Sequence, residues 1–371
     1  MPNPAEVAQL VVAGVKFEDW ESVWVQHRWA DGWPLFRFTA AENASMPAVW
    51  TSLQFKPGDP CQIVLGGQLA ITGIILTRQT AYDARNHTVE LSGAGKTWAA
   101  ATSSIDQKDN KGNFDNMPIK AICDKIFADF GVNVLQVGTV DQTPFDKCQS
   151  QPGELTFDFA DKLARTRGAT LGSDHLGNML LIGEHSNPVV QNLTEGENIL
   201  KMQCIISNEM MSTDYSVLGQ APNAEEMSAS QAANMEAQVG GTLKNFRKFI
   251  QTVAEQPVKS MAELQSRAAF EARFREGTLI RAYATVQGWL RDGSNLWRAG
   301  DDVFVKSPMA MLNMTLKIQT ATFQQDNQSG TTTVLELVLP WMLADQPYGT
   351  GVASQGPDIP QPPGPAKTTS E

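Results

Sequence analysis

Cysteine is scarce: Cys61, Cys123, Cys148 and Cys204 are scattered over 371 residues with no C-x-x-C pair. That spacing excludes a zinc knuckle and a disulfide scaffold, and it points to reduced thiols. Positive charge is also short: 29 Lys and Arg stand against 40 Asp and Glu, a formal charge of −11. Holding nucleic acid takes clustered cations that release counterions, so a nucleic-acid footprint is not expected. Long apolar runs are missing too. The stretch CQIVLGGQLAITGIIL at 61–76 is broken by Gln62, Gln68 and Thr72 and falls short of the roughly 20 residues a membrane helix needs, so it is strand material. The opening MPNPAEVAQL lacks a basic start followed by an apolar core and does not read as a secretory signal.

Residues for chemistry are equally thin. His27, His87, His175 and His185 are too dispersed for a local metal pair. Glu18, Asp19 and Glu21 are sequence neighbours on one expected hairpin, where a solvated charge run is the ordinary reading and a glycosidase pair facing across a cleft is not. The run Leu91-Ser-Gly93-Ala-Gly95-Lys96-Thr97 ends like a phosphate loop, but Glu90 holds the place of the required first glycine. No cofactor site, metal site or catalytic group is therefore expected. Five of the nine tryptophans, Trp20, Trp24, Trp29, Trp33 and Trp50, crowd one early segment. They read as core or subunit-interface aromatics, as do Trp289 and Trp297, with a sugar-stacking platform as the alternative.

What the chain does have is a structural phrase stated twice. FKPGDPCQIVL at 55–65 and WRAGDDVFVKS at 297–307 each place Gly-Asp (Gly58-Asp59, Gly300-Asp301) before an alternating strand. After both come a long strand, a polar hairpin tip and a returning strand, ending near 92 and 339. The reading is mostly β with an α+β insertion: two related antiparallel β-barrels, the smaller domain, and a disordered tail. Expected boundaries are a first barrel over 1–106 and the α+β domain over 107–197. Connecting strands, a polar loop (221–241) and a helix fill 198–276. A second barrel spans 277–345, completed by strands from 198–220, and a Pro/Gly-rich tail covers 346–371. In the middle, Ile119, Ile122, Ile126 and Phe130 lie at helical spacing before Gly131, and a second helix runs from Thr156 to Gly168. Ser260-Met-Ala-Glu263 has the form of a capping box opening a helix with Leu264, Ala268 and Phe274 on one apolar face.

An ordered set of short motifs carries a resemblance. It runs from Gly14-x-x-Phe17-x-x-Trp20-x-x-Val23-x-Val25 through Pro57-Gly58-Asp59, Gly66-Gly67-Gln68, Thr72-Gly73 and Leu91-Ser-Gly93. It continues with Gly153-Glu154, Arg165-x-Arg167-Gly168 and Ser173-Asp174-x-x-Gly177-x-Met179-Leu180, to Gly288-Trp289, Leu296-Trp297 and Gly300-Asp301. Together they resemble the Mu-like baseplate hub proteins of contractile-tailed phages, which are similar to the hub part of type VI secretion spike proteins. Ala94 follows Gly93 where that family commonly has a basic residue, and 221–241 matches no family pattern. The resemblance implies two tail-tube-like barrels per chain and a homotrimer whose six barrels adapt a six-fold tube to a trimeric membrane-puncturing spike. It also implies a structural role in a virion tail baseplate assembled in the host cytoplasm. The implied partners are the spike, the tube and tape-measure side and the baseplate wedge proteins. DNA would pass through the lumen without specific binding, and no stable membrane insertion is implied.

Overall fold

A computed structural model of the chain describes residues 6–42, 55–83, 87–108, 112–219, 235–243, 247–254 and 260–340. Trp50 and the 346–371 tail lie outside these residues.

Alternation of apolar and polar side chains builds the first unit. In Ser22–Arg28 the buried Val23, Val25 and His27 interleave with more exposed Trp24 and Gln26, the period-2 pattern of a strand with one face on a core. Seven strands form this unit: β1 (Ala8–Val12), β2 (Val15–Phe17), β3 (Ser22–Arg28), β4 (Leu35–Glu42), β5 (Pro60–Leu65), β6 (Gln68–Tyr82) and β7 (His87–Gly95). Leaving the β2 hairpin aside, they lie in the order β3-β4-β7-β6-β5-β1.

The second unit contains β11 (Val189–Thr194), β12 (Lys201–Ile206), β16 (Ile280–Gln287), β17 (Asp302–Ser307), β18 (Leu312–Asp326) and β19 (Gly330–Val338). Their order is β12-β16-β19-β18-β17-β11, the same six-strand sequence of neighbours. The likeness extends to length: β5 and β17 have 6 residues, β6 and β18 have 15, β7 and β19 have 9. Each long strand carries a bulge at the same place, between Ile75 and Thr77 in β6 and between Ile318 and Thr320 in β18. One difference is that β1 runs antiparallel to β5 whereas β11 runs parallel to β17.

The units are welded by β3, which pairs antiparallel with the far half of β18 from Arg28↔Thr320 to Val23↔Gln325. The result is one 13-stranded sheet over one apolar core. Near the start of the chain, Glu6 accepts hydrogen bonds from the backbone N–H groups of Trp289 (2.7 Å) and Leu290 (3.3 Å), a second tie across the same seam.

Two modules are inserted. After the short helix α1 (Thr97–Ala101) come α2 (Ile119–Ala128), β8 (Val134–Val137), α3 (Thr156–Thr166), β9 (Thr170–Ser173) and β10 (Met179–Ile182), with a core of their own. Ile119, Ile122 and Ile126 face that core, but Phe130 lies past the helix end and is exposed, because the turn at Gly131 (φ +63°) redirects the chain. The other module consists of β13 (Asp214–Gly219), β14 (Met235–Gly240), β15 (Phe249–Val253) and α4 (Met261–Gly277). Ser260 caps α4 by accepting the Glu263 N–H, and Leu264 and Ala268 pack inward. Phe274 does not share that face and is exposed.

This arrangement corrects two expectations. Of the 198–220 stretch only β12 joins the second unit. The remaining strand that completes it is β11, from within the expected 107–197 domain, while β13 pairs with β14 and β15 in a separate sheet. The 221–241 stretch is not all loop either: Met235–Gly240 is β14, its Met235, Ala237 and Val239 buried against α4, while 221–234 lie outside the described residues.

Candidate functional site

The repeated Gly-Asp turns are equivalent down to single backbone bonds. Gly58 N–H donates to Ile75 C=O and Gly300 N–H to Ile318 C=O, both at 2.8 Å. Ile75 N–H donates back to Asp59 C=O (3.0 Å), and Ile318 N–H to Asp301 C=O (2.9 Å). Both glycines have φ near +95° (+96° and +94°), where an L side chain is strained. Glycine is thus required twice for the same reason: the turn must deliver its strand beside the bulge of the long neighbour.

Their surroundings differ. A Cβ on Gly58 would meet nothing within 4 Å, whereas one on Gly300 would stand 2.5 Å from Cε3 of Trp29. The Gly300 carbonyl accepts from Lys317 Nζ (2.8 Å) and Asn187 Nδ2 (2.9 Å). Lys317 and Asp302, both 0% exposed, form an ion pair at 2.9 Å. Asp301 pairs with Arg291, and burial holds its carboxyl above the usual range against the pull of Arg291 and Lys317. Arg298 reaches back to the Leu69 carbonyl of the first unit (3.0 Å). Beside this cluster, His27 Nε2 lies 2.8 Å from the Ser173 carbonyl, which makes that nitrogen the protonated donor of a neutral ring. Burial pushes the imidazole down to about 4. The second turn is therefore the joint where both units and the α+β module meet, and the first turn is its open counterpart.

Of the tryptophans singled out from sequence, Trp289 is fully buried, its Nε1 donating to the Gln324 carbonyl (3.2 Å), and Trp297 is buried beside it in the shared core. Trp20 is half-buried between Phe17 and Phe38, with ring centroids 4.6 and 4.8 Å away. Trp33 is half-buried with its ring edge to Phe157. Trp29, Lys317, Asp302 and His27 escaped the sequence reading as joint residues: three stand singly on strands and Trp29 in the turn after β3, and only the β3–β18 pairing and the inserted module bring them together.

The phosphate-loop lookalike is consumed by the fold. Gly95 ends β7, Lys96 Nζ donates to the Gly131 carbonyl (2.7 Å) and Thr97 Oγ1 to the Gly32 carbonyl (2.7 Å). Among the described residues no group of three or more His, Cys, Asp or Glu could hold a metal ion, and no helix is long and apolar enough to cross a membrane.

Six strands stated twice, welded at one joint and interrupted by small modules, form a scaffold whose fold is shared with phage tail proteins. Residues 7–95 match the family described as Mu phage baseplate assembly protein GpP-like, N-terminal, and residues 103–183 match baseplate hub protein gp44-like, second domain. These limits follow the first unit and the α+β module. The chain is 23% identical over 293 residues to the baseplate hub protein gp44 of Escherichia phage Mu, covering 76% of this chain and 75% of that protein. A 43 kDa tail protein of prophage MuSo2 from Shewanella oneidensis shares the fold (TM-score 0.77, 22% identity, 91% of this chain and 99% of that one). More distantly, so does an E. coli type VI secretion component described as structurally similar to T4 tail proteins (TM-score 0.56, 10% identity, 89% and 76%). The chain thus carries two regions matched by baseplate family models and is similar over three quarters of its length to the Mu baseplate hub protein.

Proposed function

We propose that the chain forms a homotrimeric ring in which six strand units surround a lumen, adapting a six-fold tail tube on one side to a three-fold spike on the other. The observation that carries this reading is the doubled unit: same strand order, equal lengths in β5/β17, β6/β18 and β7/β19, same bulge, same turn bonds. Two near-equivalent units per chain give a three-copy ring a pseudo-six-fold repeat, while whatever differs between them keeps it three-fold. The ends of the ring would meet the tube and tape-measure side and the spike, with the baseplate wedge proteins as further partners. On this reading the protein needs no cofactor and turns over no substrate, because its product is geometry.

Light scattering tests it. The expected mass is that of three chains, with an interface above roughly 2,000 Å² in total as obligate assemblies have, and a stable complex with the neighbouring spike. A monomer, or cleavage of peptidoglycan without spike binding, would overturn it. The likeness to the type VI component supports a second reading of the same class, the hub of a phage-derived injection particle. A sugar-stacking role is disfavoured by Trp20, whose ring packs against Phe17 and Phe38.

A further inference from the structure

Phe274, 41% exposed and off the packed face of α4, lines a feature that the fold leaves open. Between α3, α4 and the β-body lies a cleft of about 360 Å³, walled by Phe157 of α3, Phe270 and Phe274 of α4, and Ala30 and Gln319 of the joint. Its charged lining is already paired: Arg165 with Asp161, and Glu271 with Arg267 (3.0 Å) and Arg275 (2.6 Å). Gln319 differs. Its Oε1 is buried and accepts no hydrogen bond among the described residues. A buried acceptor without a donor is costly, so the cleft asks for an aromatic body that carries one N–H.

A group of that kind comes next in the chain. β19 ends at Val338, which packs on Trp29 and on Ala30 of the cleft wall. Leu339 and Pro340 are buried, and Trp341-Met342-Leu343 follow. Three residues span at most about 11 Å, so covalent geometry alone keeps Trp341 within reach of that wall. Beyond Leu343 the chain to Glu371 carries large apolar side chains only singly, at Tyr348, Val352 and Ile359. Indole also has the right polarity: one N–H donor and no acceptor.

We propose that Trp341 latches into this cleft of its own chain, its indole N–H donating to Gln319 Oε1 and its ring covering Phe270 and Phe274, with Met342 and Leu343 closing the mouth. The occupant is the chain's own C-terminal segment because it is tethered beside the opening. A second copy or an unrelated protein loses translational freedom on entering, whereas a residue three places from the wall has little left to lose. Such a latch joins α3, α4 and the β-body at one point, and it sets where 344–371 begin on the surface. The contact lies within one chain and holds whether or not copies assemble into a ring.

Thiol labelling of the full-length chain tests the latch. Cys61, Cys123 and Cys148 are buried and Cys204 half-buried, so in a Cys204→Ser background Phe274→Cys supplies one accessible reporter. With Trp341 in place it should react with a maleimide at least tenfold more slowly than with Trp341→Ala. Phe130→Cys, exposed but outside the cleft, should react at the same rate with either. Independently, Trp341→Ala should lower the thermal midpoint by a few degrees, Trp341→Phe, which fills the cleft without an N–H, by less, and Tyr348→Ala not at all. Equal rates at Phe274→Cys with and without Trp341 would overturn the proposal, whatever the midpoints. Protection of a Trp341→Ala reporter chain by co-produced chains that retain Trp341 would seat the indole in a neighbouring copy and overturn it as well. A wild type that is monomeric would sink the ring and leave the latch standing.

Discussion

At the scale of single residues, the two turn glycines separate backbone strain from packing. Gly58→Ala should cost about 1–2 kcal/mol, the strain of a Cβ at positive φ in open space. Gly300→Ala adds an overlap with Trp29 and should cost about 3 kcal/mol or more. Urea unfolding of both, and of Gly300→Ala combined with Trp29→Ala, would show a coupling for Gly300 that is absent for Gly58. In the same joint, Lys317→Met strands Asp302 in the core and should destabilise by about 3–5 kcal/mol, whereas replacing both with apolar residues should cost much less. His27 contributes a pH dependence whose sign is set by burial. The folded chain keeps the ring neutral down to about 4, while the unfolded chain takes up its proton near the ordinary value of 6.5. The unfolded state then binds more protons in that window, so stability is unaffected above pH 6.5 and is lost as pH falls toward 4, by on the order of 3 kcal/mol. Unfolding curves at pH 7 and pH 4.5 should show a larger loss for the wild type than for His27→Gln, since other groups titrate alike in both. His27, Lys317 and Trp29 could not be picked from sequence as joint residues, because a lone His or Lys on an alternating strand, or a Trp just past its end, looks the same whether it faces water or another module.

At the scale of elements, the legible parts were those set by local chemistry. Pro and Gly at the turns, the period-2 runs that follow them, the 3.6-period of Ile119, Ile122 and Ile126, and the Ser260 cap all rest on contacts within a few residues. Partner choice was not legible. Nothing in Val189–Thr194 says that it lies beside β17 rather than in the module before it, and nothing in Met235–Gly240 distinguishes a strand on a helix from a polar loop until α4 is packed on it. The α4 module enters between β12 and β16 at a point where the chain returns to itself: Ser207 N–H donates to Leu279 C=O at 2.9 Å. A chain in which 209–277 is replaced by a short turn should therefore still fold cooperatively. It should be less stable, because buried Arg167 loses its partner Glu263 on α4. Circular dichroism melting would reveal a single transition at a lower midpoint.

At the scale of the whole molecule, a surface carrying −11 net charge should repel phosphate, which suits a passage that DNA crosses without sticking. Gel-shift measurements at physiological salt should show no retention of duplex DNA, and tight binding would contradict the lumen reading. The β3–β18 weld also dictates an order of events during synthesis. β3 leaves the ribosome among the first strands and β18 among the last, so the first unit waits through nearly 300 residues, the separation spanned by the Gln26–Thr322 hydrogen bond, before its open side is sealed. Contacts of such long range are slow to form, and an unsealed strand invites pairing with a stranger. A nascent chain stalled before Leu312 would hold β3 out as an adhesive edge, and any factor that shields it in that interval would raise the yield of assembled protein without appearing in the finished particle.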